Sequence, residues 1–254
     1  MKKLDGGKRR SPAKDIAAVA VMTALLIGGQ FVLSPVAGVE VVTVLLAAFS
    51  FSYGVRAGVL AATAFALLRC FIFGFYPSVI VLYLIYYPLF ALIFGLLGRV
   101  KEQTYLRFPL WAALLVNVAI VAVGVGCAVC AATNIIKISR LAAAMVKTLL
   151  WVIFALCCAL IAVFDCVFVL QRRGNLKSGN MLMVAVAAAC TICFTLLDDV
   201  ITPIFMGWGV FSATSATYFY ASFLAMAPQT VCAIVTVSTL FLPLVTIFKR
   251  ASKI

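Results

Sequence analysis

Eight long apolar runs, separated by short connections, dominate this sequence. Their approximate ranges are 15–34, 39–54, 56–73, 78–98, 109–132, 145–170, 181–200 and 217–247. A helix needs about 20 predominantly apolar residues to cross a bilayer. With 66% hydrophobic and 11% charged residues, the chain is too apolar for a soluble enzyme or a disordered protein. The runs are too continuous for the alternating strands of a membrane β-barrel. We therefore predict an all-α, polytopic membrane protein with about eight transmembrane helices.

The distribution of basic residues predicts how these helices are oriented. The chain has 20 Lys and Arg against 7 Asp and Glu, a net charge of +13. In a soluble protein this excess would suggest a nucleic-acid partner, but here it clusters between apolar runs, as the positive-inside rule requires. With a cytoplasmic N-terminus, only four basic residues fall on the outer side: Arg69, Lys137, Arg140 and Lys147. We therefore expect both termini in the cytoplasm and no nucleic-acid partner.

The chain divides into two unequal parts. Residues 1–14 form a basic leader, which we expect to stay on the protein as a cytoplasmic tail, because a second apolar run follows the first almost at once. Residues 15–254 form a single transmembrane helical domain.

Charged residues within or at the ends of the membrane-spanning runs are the first candidates for function, because burying them in lipid is costly. Arg69, Glu40, Asp198 and Asp199 all fall near the outer ends of their spans. The alternative is structural: an arginine can extend its side chain to the interface, and carboxylates can be solvated at a helix end. We expect the four charges to meet at the level of the outer leaflet.

Aromatic residues gather at the same level. Tyr83, Tyr86 and Tyr87 share one face of the fourth run by their i, i+3, i+4 spacing. An interfacial aromatic belt is the alternative explanation. Charge within an aromatic cluster suits a flat, partly polar organic ligand. The candidate substrate-binding residues are Glu40, Arg69, Tyr76, Tyr83, Tyr86, Tyr87, Asp198, Asp199, Trp208 and Gln229.

Small residues form a stripe on the first run. Ala20, Ala24 and Gly28 repeat at four-residue spacing, which lets another helix approach closely in lipid. The same spacing recurs at Gly58, Ala62 and Ala66, so packing within the protein is an alternative for either stripe.

Enzyme signatures are weak. Two CxxC pairs occur, Cys127–Cys130 and Cys190–Cys193, but no neighbouring base or cation would lower a thiol pKa. The chain has no histidine, and we predict no metal site, cofactor or catalytic residue. It also lacks the GxxxxGK[ST] phosphate-binding loop, so ATP-driven transport would need an ATPase on another chain.

Taken together, these segments resemble the substrate-binding S components of energy-coupling-factor (ECF) vitamin transporters. The matching pieces are the Ala20–Ala24–Gly28 stripe, the stretch VEVVTVLLAAFSFSYGVRAGVLAATAFALLRCFIFGFYPSVIVLYLIYYPLFALIFGLLGR, the segment TLLDDVITP and the final FKR. They lie within residues 15–98 and 180–250.

The resemblance implies a role and a set of partners. S components capture a vitamin or related micronutrient at the outer face of a prokaryotic plasma membrane. They dock through the small-residue face of the first helix, here Ala20, Ala24 and Gly28, onto a transmembrane coupling subunit that carries two ATPases. One departure is the helix count: the family typically has six, so residues 109–170 would be an inserted hairpin with Asn117, Lys147 and Asp165 as its buried polar candidates.

The ligand itself is not determined by the sequence, although the aromatic residues favour a planar ring system such as a flavin or a corrinoid. Two other functions stay open. One is a membrane thiol–disulfide oxidoreductase that uses the CxxC pairs. The other is a stand-alone secondary transporter, for which an internal repeat around a mid-membrane site would be expected.

Overall fold

The computed structural model describes residues 12–35, 41–99, 110–132, 181–209 and 212–252, and scattered positions between 147 and 169. Within these ranges the regular structure is α-helical throughout, as predicted. The helices are α1 (Pro12–Leu33), α2 (Val42–Tyr53), α3 (Val55–Phe73), α4 (Pro77–Leu97), α5 (Leu110–Ala132), α6 (Met181–Phe205) and α7 (Ala213–Ala251).

Five of these helices are long and apolar enough to cross a membrane: α1, α3, α4, α6 and the Gln229–Ala251 part of α7. The protein is therefore a multi-pass helical membrane protein by the length and composition of its helices. The predicted count of eight spans exceeds these five and stays a prediction. The described positions between 147 and 169 are also helical, in the region of the sixth apolar run.

Helix α2 lies at the centre of the described bundle. It has only 12 residues, and every position from Val42 to Ser50 except Leu45 is buried. Helices α3, α4 and α7 pack around it, and α1 touches it more lightly. A helix that is apolar on all sides belongs in the interior. The second apolar run therefore lies in the core of the described bundle.

A glycine makes the sharp connection between α2 and α3 possible. Gly54 has φ +89°, a conformation that costs glycine little because it has no Cβ. Its N–H donates to the Ser50 carbonyl at 2.9 Å and so closes α2. Helix α4 then approaches the start of α3 so closely that a Cβ on Gly95 would lie 2.7 Å from Val55 Cα.

Helices α6 and α7 form the second half of the described bundle. They pack along each other, α6 also contacts α4, and α7 contacts α2. Helix α6 runs to Phe205, past the end predicted at residue 200, because Pro203 is accommodated inside it. Neighbouring helices make such internal prolines tolerable in membranes. Ser212 caps the N-terminus of helix α7, because its hydroxyl accepts from the Ser215 N–H at 3.2 Å.

The predicted hairpin is described in part. Asn117 on α5 donates from Nδ2 to Asp165 Oδ1 at 2.7 Å, so two of its three polar candidates meet. A Cβ on Gly124 would lie 3.2 Å from Cys157 Cβ, which shows that the same two segments approach closely. Lys147, the third polar candidate, is exposed, so the expectation that it is buried in the hairpin was wrong.

Candidate ligand-binding site

An aromatic cluster holds α4 against α6. The rings of Tyr83 and Tyr87 lie 4.9 Å apart, and those of Tyr86 and Tyr87 lie 5.1 Å apart. Phe194 on α6 touches all three, with centroid distances of 5.7 Å to Tyr83, 4.8 Å to Tyr86 and 6.3 Å to Tyr87. The predicted shared face of the tyrosines is therefore real, and it packs on a phenylalanine that the sequence analysis did not select.

Arg69 on α3 contacts this cluster through Tyr83. Its guanidinium carbon is 4.0 Å from the centroid of the Tyr83 ring and 5.2 Å from that of Phe73. Such cation–π contacts stabilise a charge that water does not reach well. The Nε of Arg69 is buried and has no hydrogen-bond partner among the described residues.

Gln30 on α1 also contacts Tyr83, the ring that Arg69 covers. Its Nε2 donates to the Tyr83 hydroxyl at 3.5 Å, while its Oε1 is buried and unpartnered within the described part of the chain. Unpartnered polar atoms on Arg69 and Gln30 thus flank one tyrosine. A ligand carbonyl, carboxylate or amide would supply hydrogen bonds of the kind these atoms lack.

The two aspartates of α6 face α7 rather than Arg69. Asp198 Oδ1 accepts from the Thr202 hydroxyl at 2.7 Å, and its Oδ2 accepts from the Tyr218 hydroxyl at 2.8 Å. Asp199 Oδ2 accepts from the Ser222 hydroxyl at 2.8 Å. Asp198, one of the acidic residues expected at the same level as Arg69, is therefore bonded to hydroxyls and has no described contact with the guanidinium.

A cavity of about 290 Å³ opens beside these aspartates, between α6 and α7. We call it the aspartate cavity. It is lined by Phe194, Thr195, Asp198, Tyr218, Ala221, Ser222 and Gln229. Phe194 thus belongs both to the tyrosine cluster and to the cavity wall, so aromatic contacts run from Arg69 through Tyr83 to the wall of the aspartate cavity.

The other predicted site residues have mixed positions. Gln229 lines the aspartate cavity as expected, and Trp208 packs beside it, 6.1 Å from the ring of Tyr218. Tyr76 is 61% exposed, and no described contact joins it to the tyrosine cluster. Glu40 lies outside the described residues.

Simple spacing rules point to the residues that the sequence analysis did not select. Phe194 is four residues before Asp198, and Ser222 is four residues after Tyr218, so each pair shares a helix face. Gln30 carried no such signal, because a single polar residue near the end of an apolar run is usually interfacial. Only packing against Tyr83 shows that it belongs here.

The stripe Ala20, Ala24 and Gly28 is exposed along α1. It lines an apolar groove of about 750 Å³ between α1 and α3, whose α3 side is Ala64, Leu68 and Ile72. A Cβ built on Gly28 would meet nothing within 4 Å. We call this surface the α1 groove. Gly58, Ala62 and Ala66 on α3 are all buried, so the two stripes have opposite surroundings.

No described feature adds chemistry of another kind. Cys190 and Cys193 are free thiols, and the side chains of Cys127 and Cys130 lie outside the described residues. No group of three potential metal ligands occurs in the described part of the chain.

Comparisons of the chain with protein-family models, curated proteins and solved structures gave no match. The site and the helices that carry it therefore define a class of protein only: a multi-pass, all-helical membrane protein with a polar cavity between two of its helices.

Proposed function

We propose that this protein is the substrate-capture subunit of an ECF-type importer and binds a vitamin or a related small organic micronutrient at the outer face of the membrane. The observation that carries this proposal is the unbroken series of aromatic contacts from Arg69 through Tyr83 and Phe194 to the aspartate cavity. Small-molecule sites typically combine apolar and aromatic walls with a few polar groups in this way.

The α1 groove supports the second part of the proposal, docking onto a coupling subunit. In lipid, apolar side chains gain little by meeting each other, so close helix association relies on small residues that let backbones approach. Ala20, Ala24 and Gly28 are exposed rather than used inside the described bundle. In this proposal the coupling subunit packs on α1, and two ATPase subunits bound to it supply the energy.

The proposed orientation has eight spans in a prokaryotic plasma membrane, with both termini in the cytoplasm. Reporter fusions test it directly. Fusions after Arg99, after Lys177 and after Ile254 should report the cytoplasm, and a fusion near Lys137 should report the exterior. An exterior signal after Lys177, which lies outside the described residues, would overturn the count of eight.

Docking is tested by co-expression with a coupling subunit and its ATPases. Ala24→Trp should reduce co-purification of the partner complex, because the indole fills the groove. Leu25→Trp is the matched control, since Leu25 is also exposed but lies on another side of α1. Equal loss in both variants, or loss of folding in Ala24→Trp alone, would contradict the docking role.

The substrate-capture role is tested by mass spectrometry of small molecules released from the purified protein, together with uptake measurements. We expect one organic micronutrient to be enriched and its uptake to require the partner ATPases. Uptake that persists in cells lacking all ECF ATPases would instead indicate a stand-alone secondary transporter.

A further inference from the structure

The aspartate cavity carries negative charge that its described surroundings do not balance. Asp198 and Asp199 are adjacent, and within the described part of the chain their bonds come from hydroxyl groups only. Asp199 is 8% exposed, and its Oδ1 is buried without a hydrogen-bond partner there. A buried carboxylate is costly unless it is paired and hydrogen-bonded. The site therefore lacks a positive charge.

The nearest candidate within the protein does not supply that charge. Arg69 is held over the Tyr83 and Phe73 rings and forms no ion pair with a described carboxylate. Arg69 is not among the residues that line the cavity. A cation that enters the cavity as a ligand would balance this charge.

The size of the cavity favours an organic cation over a metal ion. Its volume of about 290 Å³ is roughly ten times the share of liquid volume taken by one water molecule. That is near the lower end of the range for small-molecule pockets. A bare monovalent ion would leave most of this space to water, whereas a single substituted ring would fill it.

The lining of the cavity matches the same ligand class. Phe194 and Tyr218 present aromatic rings, on whose faces organic cations bind favourably. The Thr202 and Tyr218 hydroxyls each occupy one oxygen of Asp198, and a carboxylate has about four acceptor positions, so capacity remains for a ligand. Gln229 adds an amide on the α7 side.

We propose that the aspartate cavity selects a small organic cation, a ligand whose positive charge resides on nitrogen, with Asp198 as its direct counter-charge. Asp199 adds a second negative charge just outside the cavity, where it accepts a hydrogen bond from Ser222, a residue of the cavity lining. This inference rests on the proposed function and specifies the class of its substrate.

The test compares two flat probes that differ in charge. Full-length protein in lipid nanodiscs is titrated with 1-methylnicotinamide, a cation, and with nicotinamide, its neutral counterpart, by calorimetry. We expect the cation to bind at least about tenfold more tightly, as one charge-assisted contact provides. Asp198→Asn should reduce cation affinity by about 10–100-fold and leave nicotinamide binding nearly unchanged. Asp165→Asn, a carboxylate change in the hairpin, is the matched control and should leave both affinities unchanged.

The outcomes separate this inference from the proposed function. Cation binding no tighter than nicotinamide binding, including no binding of either, overturns the inference, and so does cation affinity that survives Asp198→Asn in a folded protein. Sodium ions that compete with the cation at micromolar concentration would point to a metal-ion site instead and also overturn it. Co-purification with the ECF partners is measured separately, so a failure of the proposed docking is distinguished from a failure of cation selectivity.

Discussion

The guanidinium carbon of Arg69 lies 4.0 Å from the centre of the Tyr83 ring, with Phe73 on a second side at 5.2 Å. The charge of Arg69 is therefore stabilised by the faces of two aromatic rings and not by a described carboxylate. A cation–π contact contributes about 0.5–2 kcal/mol, depending on desolvation. The unpartnered Nε remains for another acceptor.

Arg69→Ala tests whether that acceptor is the ligand. Because no described carboxylate is left unpaired, we expect near-normal expression and a loss of stability of no more than about 2 kcal/mol. We expect affinity for the co-purified ligand to fall about 10–100-fold. Thermal stability and ligand content, measured side by side, check both expectations.

The control is Arg56→Ala, which removes an exposed arginine at the start of the same helix and should change neither stability nor ligand affinity. Unchanged affinity in a folded Arg69→Ala protein would remove Arg69 from the site.

Phe194 links the tyrosine cluster to the aspartate cavity, so its removal should affect both stability and binding. Phe194→Ala deletes ring contacts with three tyrosines and should destabilise the protein by about 3 kcal/mol. It should also enlarge the cavity and weaken ligand binding. Leu196→Ala, on the exposed side of α6, should cost far less. Equal melting temperatures in the two variants would show that Phe194 does not join the two sites.

Gly95 and Gly28 provide a matched pair for helix packing. A Cβ on Gly95 would lie 2.7 Å from Val55 Cα, whereas one on Gly28 meets nothing within 4 Å. Both changes to alanine gain similar helix propensity, so their difference reports packing. We expect Gly95→Ala to destabilise by about 1–3 kcal/mol and Gly28→Ala to be neutral or stabilising. A stable Gly95→Ala protein would contradict the close approach of α4 to α3.

The hydrogen bond between Asn117 and Asp165 tests the pairing of the two segments of the predicted hairpin. A double-mutant cycle with Asn117→Ala and Asp165→Ala should give a coupling energy of about 0.6 kcal/mol, the average for hydrogen bonds between membrane helices, and no more than about 1.7 kcal/mol. Melting temperatures of the four proteins provide it. Additive effects would show that the two segments do not pair.

Much of the architecture follows from the sequence because lipid imposes a strict rule on the backbone. Every peptide group must find a partner inside its own segment, so long apolar runs become helices. The predicted runs match α3 and α4 to within a residue or two. The three tyrosines of α4 also share a face, as helix geometry requires. The apolar run at 39–54 forms the shorter helix α2, and its central place in the bundle was not predicted.

The sequence could not determine which helix faces meet, because helical spacing groups residues on one face without naming its neighbour. Ala20, Ala24 and Gly28 have the same spacing as Gly58, Ala62 and Ala66. The first stripe is exposed and the second is buried.

Likewise, charge alone made Asp198 a reasonable partner for Arg69. The packing of α6 on α7 instead brings Asp198 to the Tyr218 hydroxyl and leaves Arg69 to the aromatic rings of α3 and α4. The sequence alone thus determined the helices and the composition of their faces, whereas the pairing of those faces depends on the simultaneous fit of several helices in three dimensions.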